Sequence, residues 1–119
     1  MPTFVLLTRL SPEAVRTPQA LEELEREAMR RIRDACPEVE WVNNCAVFGP
    51  YDYLDIFRAP DVETAAKVAT LVRIHGRAHT ETWAAVEWDR FKELVHELFT
   101  DPVPPSTEVR GEVLLASVP

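Results

Sequence analysis

Two hydrophobic periods alternate along this chain, and each change of period marks an element. Residues 3–10 are rich in β-branched and large apolar side chains and stop at Ser11-Pro12, the pattern of a first strand ending in a loop. The spacing then becomes helical. Leu21, Leu24, Ala28, Ile32 and Ala35 fall on one face, Thr17 is placed to cap the N-terminus, and Pro18 suits the first helical position. Acids in the early turns and Arg30, Arg31 and Arg33 at the end complement the helix dipole, and Pro37 stops the helix.

Residues 39–48 are expected to form a second strand, Gly49-Pro50-Tyr51-Asp52 a tight turn, and residues 52–59 the returning strand of an antiparallel hairpin. Pro60-Asp61 opens a second helix, with Asp61 as N-cap, Val62, Ala65, Ala66, Ala69 and Val72 on one face, and Gly76 at its stop. Val68, Leu71 and Ile74 make a second apolar stripe, suited to packing on the C-terminal part of the chain or on another subunit. Residues 77–86 alternate as a fourth strand, and Trp88, Phe91, Leu94 and Leu98 trace the buried face expected of a last helix, ended by Asp101-Pro102. A proline-bearing linker leads to residues 112–116, apolar enough for a short docking strand. The order is that of an α+β, ferredoxin-like βαββαβ domain over residues 1–99, with an extra C-terminal helix and an arm over residues 100–119. Helices then cover one sheet face, and a second copy packed sheet to sheet would hide the other.

Composition narrows the function classes. A chain of 119 residues that is 46% hydrophobic suits one domain. A domain of this size buries only about two-thirds of its unfolded surface, which favours dimerisation. Thirteen Lys and Arg against twenty Asp and Glu leave a net charge of −7, which repels a phosphate backbone and argues against nucleic acid as a partner. Arg26, Arg30, Arg31 and Arg33 alternate with Glu22, Glu23, Glu25 and Glu27 and read as helix-surface pairs. No stretch approaches the roughly 18 apolar residues of a membrane span. The N-terminus has no basic leader pattern, so cytoplasmic residence is expected. Cys36 and Cys45 form no Cys-x-x-Cys pair and lie at no metal-ligand spacing, so both are expected to be reduced, half-buried thiols. Gly49, Gly76 and Gly111 are too scattered to cradle a phosphate, and Ser11, Ser106 and Ser117 have no nucleophile-elbow context. No cofactor or metal is expected.

Gly49-x-Tyr51-Asp52, the strand to Phe57, Ala59-Pro60-Asp61 with its Ala-rich helix, and His79-Thr80-Glu81-Thr82-Trp83 together resemble the GYD domain family, over residues 2–94. The resemblance implies a dimeric α/β-barrel type of fold and a bacterial or archaeal origin, and carries no established activity. The segment from about residue 100 lies outside it. The hairpin and Ala-rich helix are also similar to the effector-binding domain of the leucine-responsive regulators, where a glycine-containing turn lies near a small-molecule site. The DNA-binding half of those regulators has no counterpart here.

Strand alternation puts Tyr53, Asp55 and Phe57 on one side of the third strand and His79, Glu81 and Trp83 on one side of the fourth. Should both sets face the uncovered side, they would line a shared cavity, with Thr8 or Arg9 of the first strand between them. Two carboxylates and a histidine in a partly apolar pocket suit acid–base work, although satisfied polar pairs are the plainer explanation. Three metal ligands of defined geometry are not visible. Tyr51 and Asp52 either hold their turn or touch a ligand. Of Asn43 and Asn44, unusual in a strand, one is expected to meet the pocket or a bulge. The leading expectation is a small-molecule-binding or regulatory homodimer, or higher homo-oligomer, with its pocket on the uncovered sheet face, lined by Tyr53, Asp55, His79, Glu81 and Trp83. A cofactor-independent isomerase or monooxygenase with His79, Glu81 or Asp55 as base is the alternative, and a purely structural assembly unit the third.

Overall fold

The apolar run at the N-terminus becomes β1 (Thr3–Leu10), an inner strand of a four-stranded antiparallel sheet. The computed structural model describes residues 1–12 and 16–100. After β1 come α1 (Pro18–Ala35), β2 (Glu40–Ala46), β3 (Tyr53–Arg58), α2 (Val62–His75), β4 (Ala78–Ala85) and α3 (Trp88–Thr100). The sheet order is β2-β3-β1-β4, so the α+β, ferredoxin-like arrangement read from the pattern is the observed one. The chain divides into two compact units, Met1–Val86 and Glu87–Pro119. The expected arm lies outside the described residues, apart from the helical backbone of Thr100.

Alternation along β1 sends Phe4, Leu6 and Thr8 into the interior, where Phe4 and Leu6 join Ile32, Cys36, Phe57, Ala59, Ala65, Val68 and Ala69 in the core. Phe57 is the centre of this cluster. Its ring lies 5.6 Å from that of Phe4 and 5.4 Å from that of Trp41, and it is fully buried. The Cys36 thiol is buried beside these rings, and burial pushes its pKa up, whereas Cys45 is exposed.

The two helices of this unit begin at the expected caps. Thr17 Oγ1 accepts from the Ala20 amide at 3.0 Å with Pro18 at the start of α1, and Asp61 Oδ1 accepts from the Thr64 amide at 2.8 Å at the start of α2. The first turn of α1 carries no acid, so the expected dipole match is made at its end, by Arg33. Glu27 bonds to Arg30 at 2.8 Å and to Arg31 at 2.9 Å, and these guanidinium groups hold its carboxyl down to about 2. On α2 the buried face is Ala65, Val68 and Ala69, while Val62 and Ile74 are exposed, so it lies between the two expected stripes. Gly76 closes α2 by donating to the Val72 carbonyl at 2.8 Å. A Cβ there would lie 2.7 Å from that carbonyl oxygen, which explains the glycine.

Between β2 and β3 the pairing slips by one residue between Trp41 and Asn43, the bulge that the paired asparagines foreshadowed. The tight turn expected at residues 49–52 is instead a six-residue connection over residues 47–52. Its ends are joined by Val47 N–H to Asp52 O at 2.9 Å. Asp52 also ties it to β1, donating its amide to the Thr8 carbonyl at 2.8 Å and accepting the Leu10 amide on Oδ2 at 2.8 Å. The motif aspartate thus closes its own connection through its backbone carbonyl, while its amide and side chain hold a strand distant in sequence.

In the second unit, Trp88, Phe91, Leu94 and Leu98 of α3 follow helical spacing, and the Trp88 and Phe91 rings stack at 5.7 Å. Trp88, Phe91 and Leu98 are exposed, not buried as their pattern suggested. Arg90 pairs with Glu93 at 2.9 Å and Glu97 at 3.4 Å. Among the described residues no helix is long and apolar enough to cross a membrane.

Removing the central ring tests this core. Phe57→Ala is expected to cost about 3–5 kcal/mol, since it leaves a cavity between Phe4 and Trp41 as well as losing buried area. Urea unfolding of the two chains measures the difference.

Candidate functional site

The register of β1 decides which polar side chains meet. Thr8 is paired with Tyr53 on one flank and with Thr80 on the other, and directly paired residues of adjacent strands point to the same side of a sheet. Tyr53, Asp55 and Phe57 therefore share the helix-covered face with Leu6, Thr8, Thr80 and Thr82. His79, Glu81 and Trp83 lie on the opposite face, with Leu7 and Arg9. The single cavity expected to gather Tyr53, Asp55, His79, Glu81 and Trp83 is thus divided into two sets. The even spacing within each strand was read correctly, but parity between strands is set by pairing, which no single strand encodes.

The first set lines a cleft. A cavity of about 410 Å³ opens between the sheet and α1, on the helix-covered face and not the uncovered one. It exists because α1 packs unevenly. Ala28 and Ile32 are buried, whereas Leu24 and Leu21, one and two turns before Ala28, are only half-buried and form its wall. Leu6, Met29 and Trp41 complete the apolar lining, and Thr8, Glu25, Asn44, Tyr53 and Asp55 supply polar groups.

Asp55 is the acid of the sheet that faces the cleft. Burial pushes its carboxyl above the ordinary aspartate value and the charge of Glu25 adds to this, while a hydrogen bond from Asn44 Nδ2 to Oδ1 at 2.7 Å opposes it. The Tyr53 hydroxyl is raised too, first by burial and then by Asp52, Glu25 and Asp55. Thr8, offered by the strand pattern together with Arg9 as the residue between the two sets, lies in the cleft, and Arg9 does not. Asn44 was half-visible as one of two amides in a strand. Glu25 is exposed on the helix surface, as its spacing predicts, and there it also borders the cleft with Leu21 and Leu24.

The second set sits around the motif tyrosine. Arg9 lies 5.8 Å from the centre of the Tyr51 ring, and Trp83 Nε1 donates to Glu81 Oε1 at 2.9 Å. The Tyr51 hydroxyl is raised, by burial first and then by the charge of Glu81, with Arg9 opposing. Leu7 is buried on this face, while half of Trp83 is exposed. Gly49 meets nothing within 4 Å of a built Cβ and has no positive φ, so neither contact nor backbone conformation explains it. Among the described residues no group of three or more His, Cys, Asp and Glu is arranged to hold a metal.

Fold and cleft together define a small ferredoxin-like α+β domain with a ligand-sized space between helix and sheet. Comparison with protein-family models matches residues 4–95 to the GYD domain, and the chain belongs to the GYD domain family. It is also similar to a protein of Thermus thermophilus named the glutamine synthetase and cystathionine beta-lyase binding protein. The two are 30% identical over 90 residues, covering 72% of this chain and 90% of that protein.

The raised carboxyl has a consequence for stability. A group whose folded-state pKa is raised favours folding when protonated; that advantage is complete below the unfolded value and lost as pH rises through the folded one. Asp55→Asn is therefore expected to raise the melting temperature at neutral pH and leave it nearly unchanged in strongly acidic solution. Thermal melts across pH check this, and a lower melting temperature at neutral pH would show that the bond to Asn44 outweighs burial.

Proposed function

We propose that this protein is a binding and regulatory module that docks on a metabolic enzyme, holds a small molecule in the α1–sheet cleft, and pairs with a second copy through the other sheet face. The observation that carries this is the relative of 30% identity, whose name is that of a binding protein and 90% of whose length this chain matches. A glutamine synthetase or a cystathionine beta-lyase is accordingly the first partner to test. Residence in a bacterial cytoplasm belongs to the same proposal.

The geometry supports the ligand and pairing parts of this reading. The cleft falls within the size range of small-molecule sites, about 300–1,000 Å³, and combines apolar walls with a few polar groups. The opposite sheet face carries Val5, Leu54, Ile56 and Trp83, partly exposed apolar side chains that a second sheet would cover. The enzyme alternative drew its base from His79, Glu81 or Asp55. The strand register separates Asp55 from the other two, which weakens a mechanism that uses them together.

Sedimentation velocity tests the reading. The chain by itself is expected to run as a dimer, Trp83→Glu as a monomer, and the wild type to co-sediment with one of the two enzymes purified from the same organism. A monomeric wild type that joins neither enzyme would contradict it.

A further inference from the structure

We infer that the α1–sheet cleft takes a small molecule with a protonated amine on a compact apolar body, the ammonium group meeting Asp55 and the Thr8 hydroxyl. The inference deepens the small-molecule part of the function proposed above and rests on it. Three observations converge on this ligand class.

The first is an unmade hydrogen bond. Thr8 is 3% exposed, lines the cleft, and its hydroxyl has no hydrogen-bond partner among the described residues. Buried hydroxyls in native proteins are nearly always satisfied, so one that faces an open cavity is a position for a ligand or water to complete. It lies on the same face as Asp55, with Tyr53 directly opposite it on β3.

The second is the half-satisfied carboxylate. Asn44 engages Oδ1 of Asp55, and Oδ2 has no hydrogen-bond partner among the described residues. A carboxylate that is partly removed from water gains most from a cationic donor, because charge-assisted hydrogen bonds are the strong ones and a counter-charge offsets desolvation.

The third is the sign of the lining. Glu22, Glu25 and Asp55 border the cleft, and among the described residues its lining includes no lysine, arginine or histidine. A carboxylate or phosphate would meet three acids and no counter-charge. An ammonium group meets the reverse, and the apolar walls, Leu6, Leu24 and Trp41 among them, suit a hydrocarbon or aromatic body, the indole also offering its face to a cation.

Three probes of one shape separate the possibilities: phenethylamine, phenethyl alcohol and phenylacetate, each titrated into the full isotope-labelled chain and followed by amide chemical shifts. Phenethylamine is expected to move the Leu6, Thr8 and Asp55 signals and to bind at least about tenfold tighter than the alcohol, with phenylacetate weakest. Asp55→Asn should erase the amine's advantage while leaving the alcohol's affinity as it was. The inference is overturned if the alcohol or the acid binds as tightly as the amine, a result that would leave the small-molecule reading intact. It is equally overturned if the advantage survives Asp55→Asn. Absence of binding by all three probes would remove both the amine inference and the small-molecule reading, while enzyme docking would still be judged by sedimentation.

Discussion

The pairing of β1 with both of its neighbours is the constraint on which the rest of the molecule depends. Thr8 stands between Tyr53 and Thr80, and because side chains alternate strictly along a strand, that one alignment assigns every residue of β3 and β4 to a face. A slip of one residue on the β3 side would expose Phe57 and bury Arg58, dismantling the ring cluster with Phe4 and Trp41. The core therefore enforces the register. Asp52 reinforces it at the other end of β1 by clasping the Thr8 carbonyl and the Leu10 amide.

From this register follow two chemically different surfaces. On the helix side, full packing at Ala28 and Ile32 gives way to half-buried Leu21 and Leu24, and the resulting cleft places Asp55 where water is scarce. Its raised carboxyl and the Thr8 hydroxyl, which has no hydrogen-bond partner among the described residues, are costs of burial, and polar groups held at such a cost in a cavity mark places where a ligand can restore what folding removed. On the other side, Arg9, Tyr51, Glu81 and Trp83 form a connected polar cluster next to apolar Leu7.

Much of the architecture was legible because it rests on local chemistry. Thr17-Pro18 and Asp61 announce helix starts, Gly76 a helix end, and the period changes between them order the elements as observed. The GYD motif pointed to the right family. What could not be read was non-local. The six-residue connection at residues 47–52 depends on bonds from Asp52 to β1, 42 residues away in the case of Leu10, so a turn judged from its own four residues came out too tight. The candidate site failed as one unit for the same reason: Tyr53 and Asp55 were correctly placed together, as were His79, Glu81 and Trp83, but the faces they occupy are a property of β1 pairing. Glu25 is the surface acid its pattern predicts, and only the placing of α1 against the sheet shows that it also borders a cleft.

The central claim is that Asp55 stands inside the helix-side cleft, away from His79 and Glu81. A pH titration of the Asp55 side-chain carboxyl carbon by nuclear magnetic resonance tests it most directly. The account expects a midpoint clearly above the ordinary value of 3.8, as burial beside Glu25 requires. A midpoint at or below that value would describe a solvated carboxylate, and would contradict both the cleft and the chemistry assigned to it.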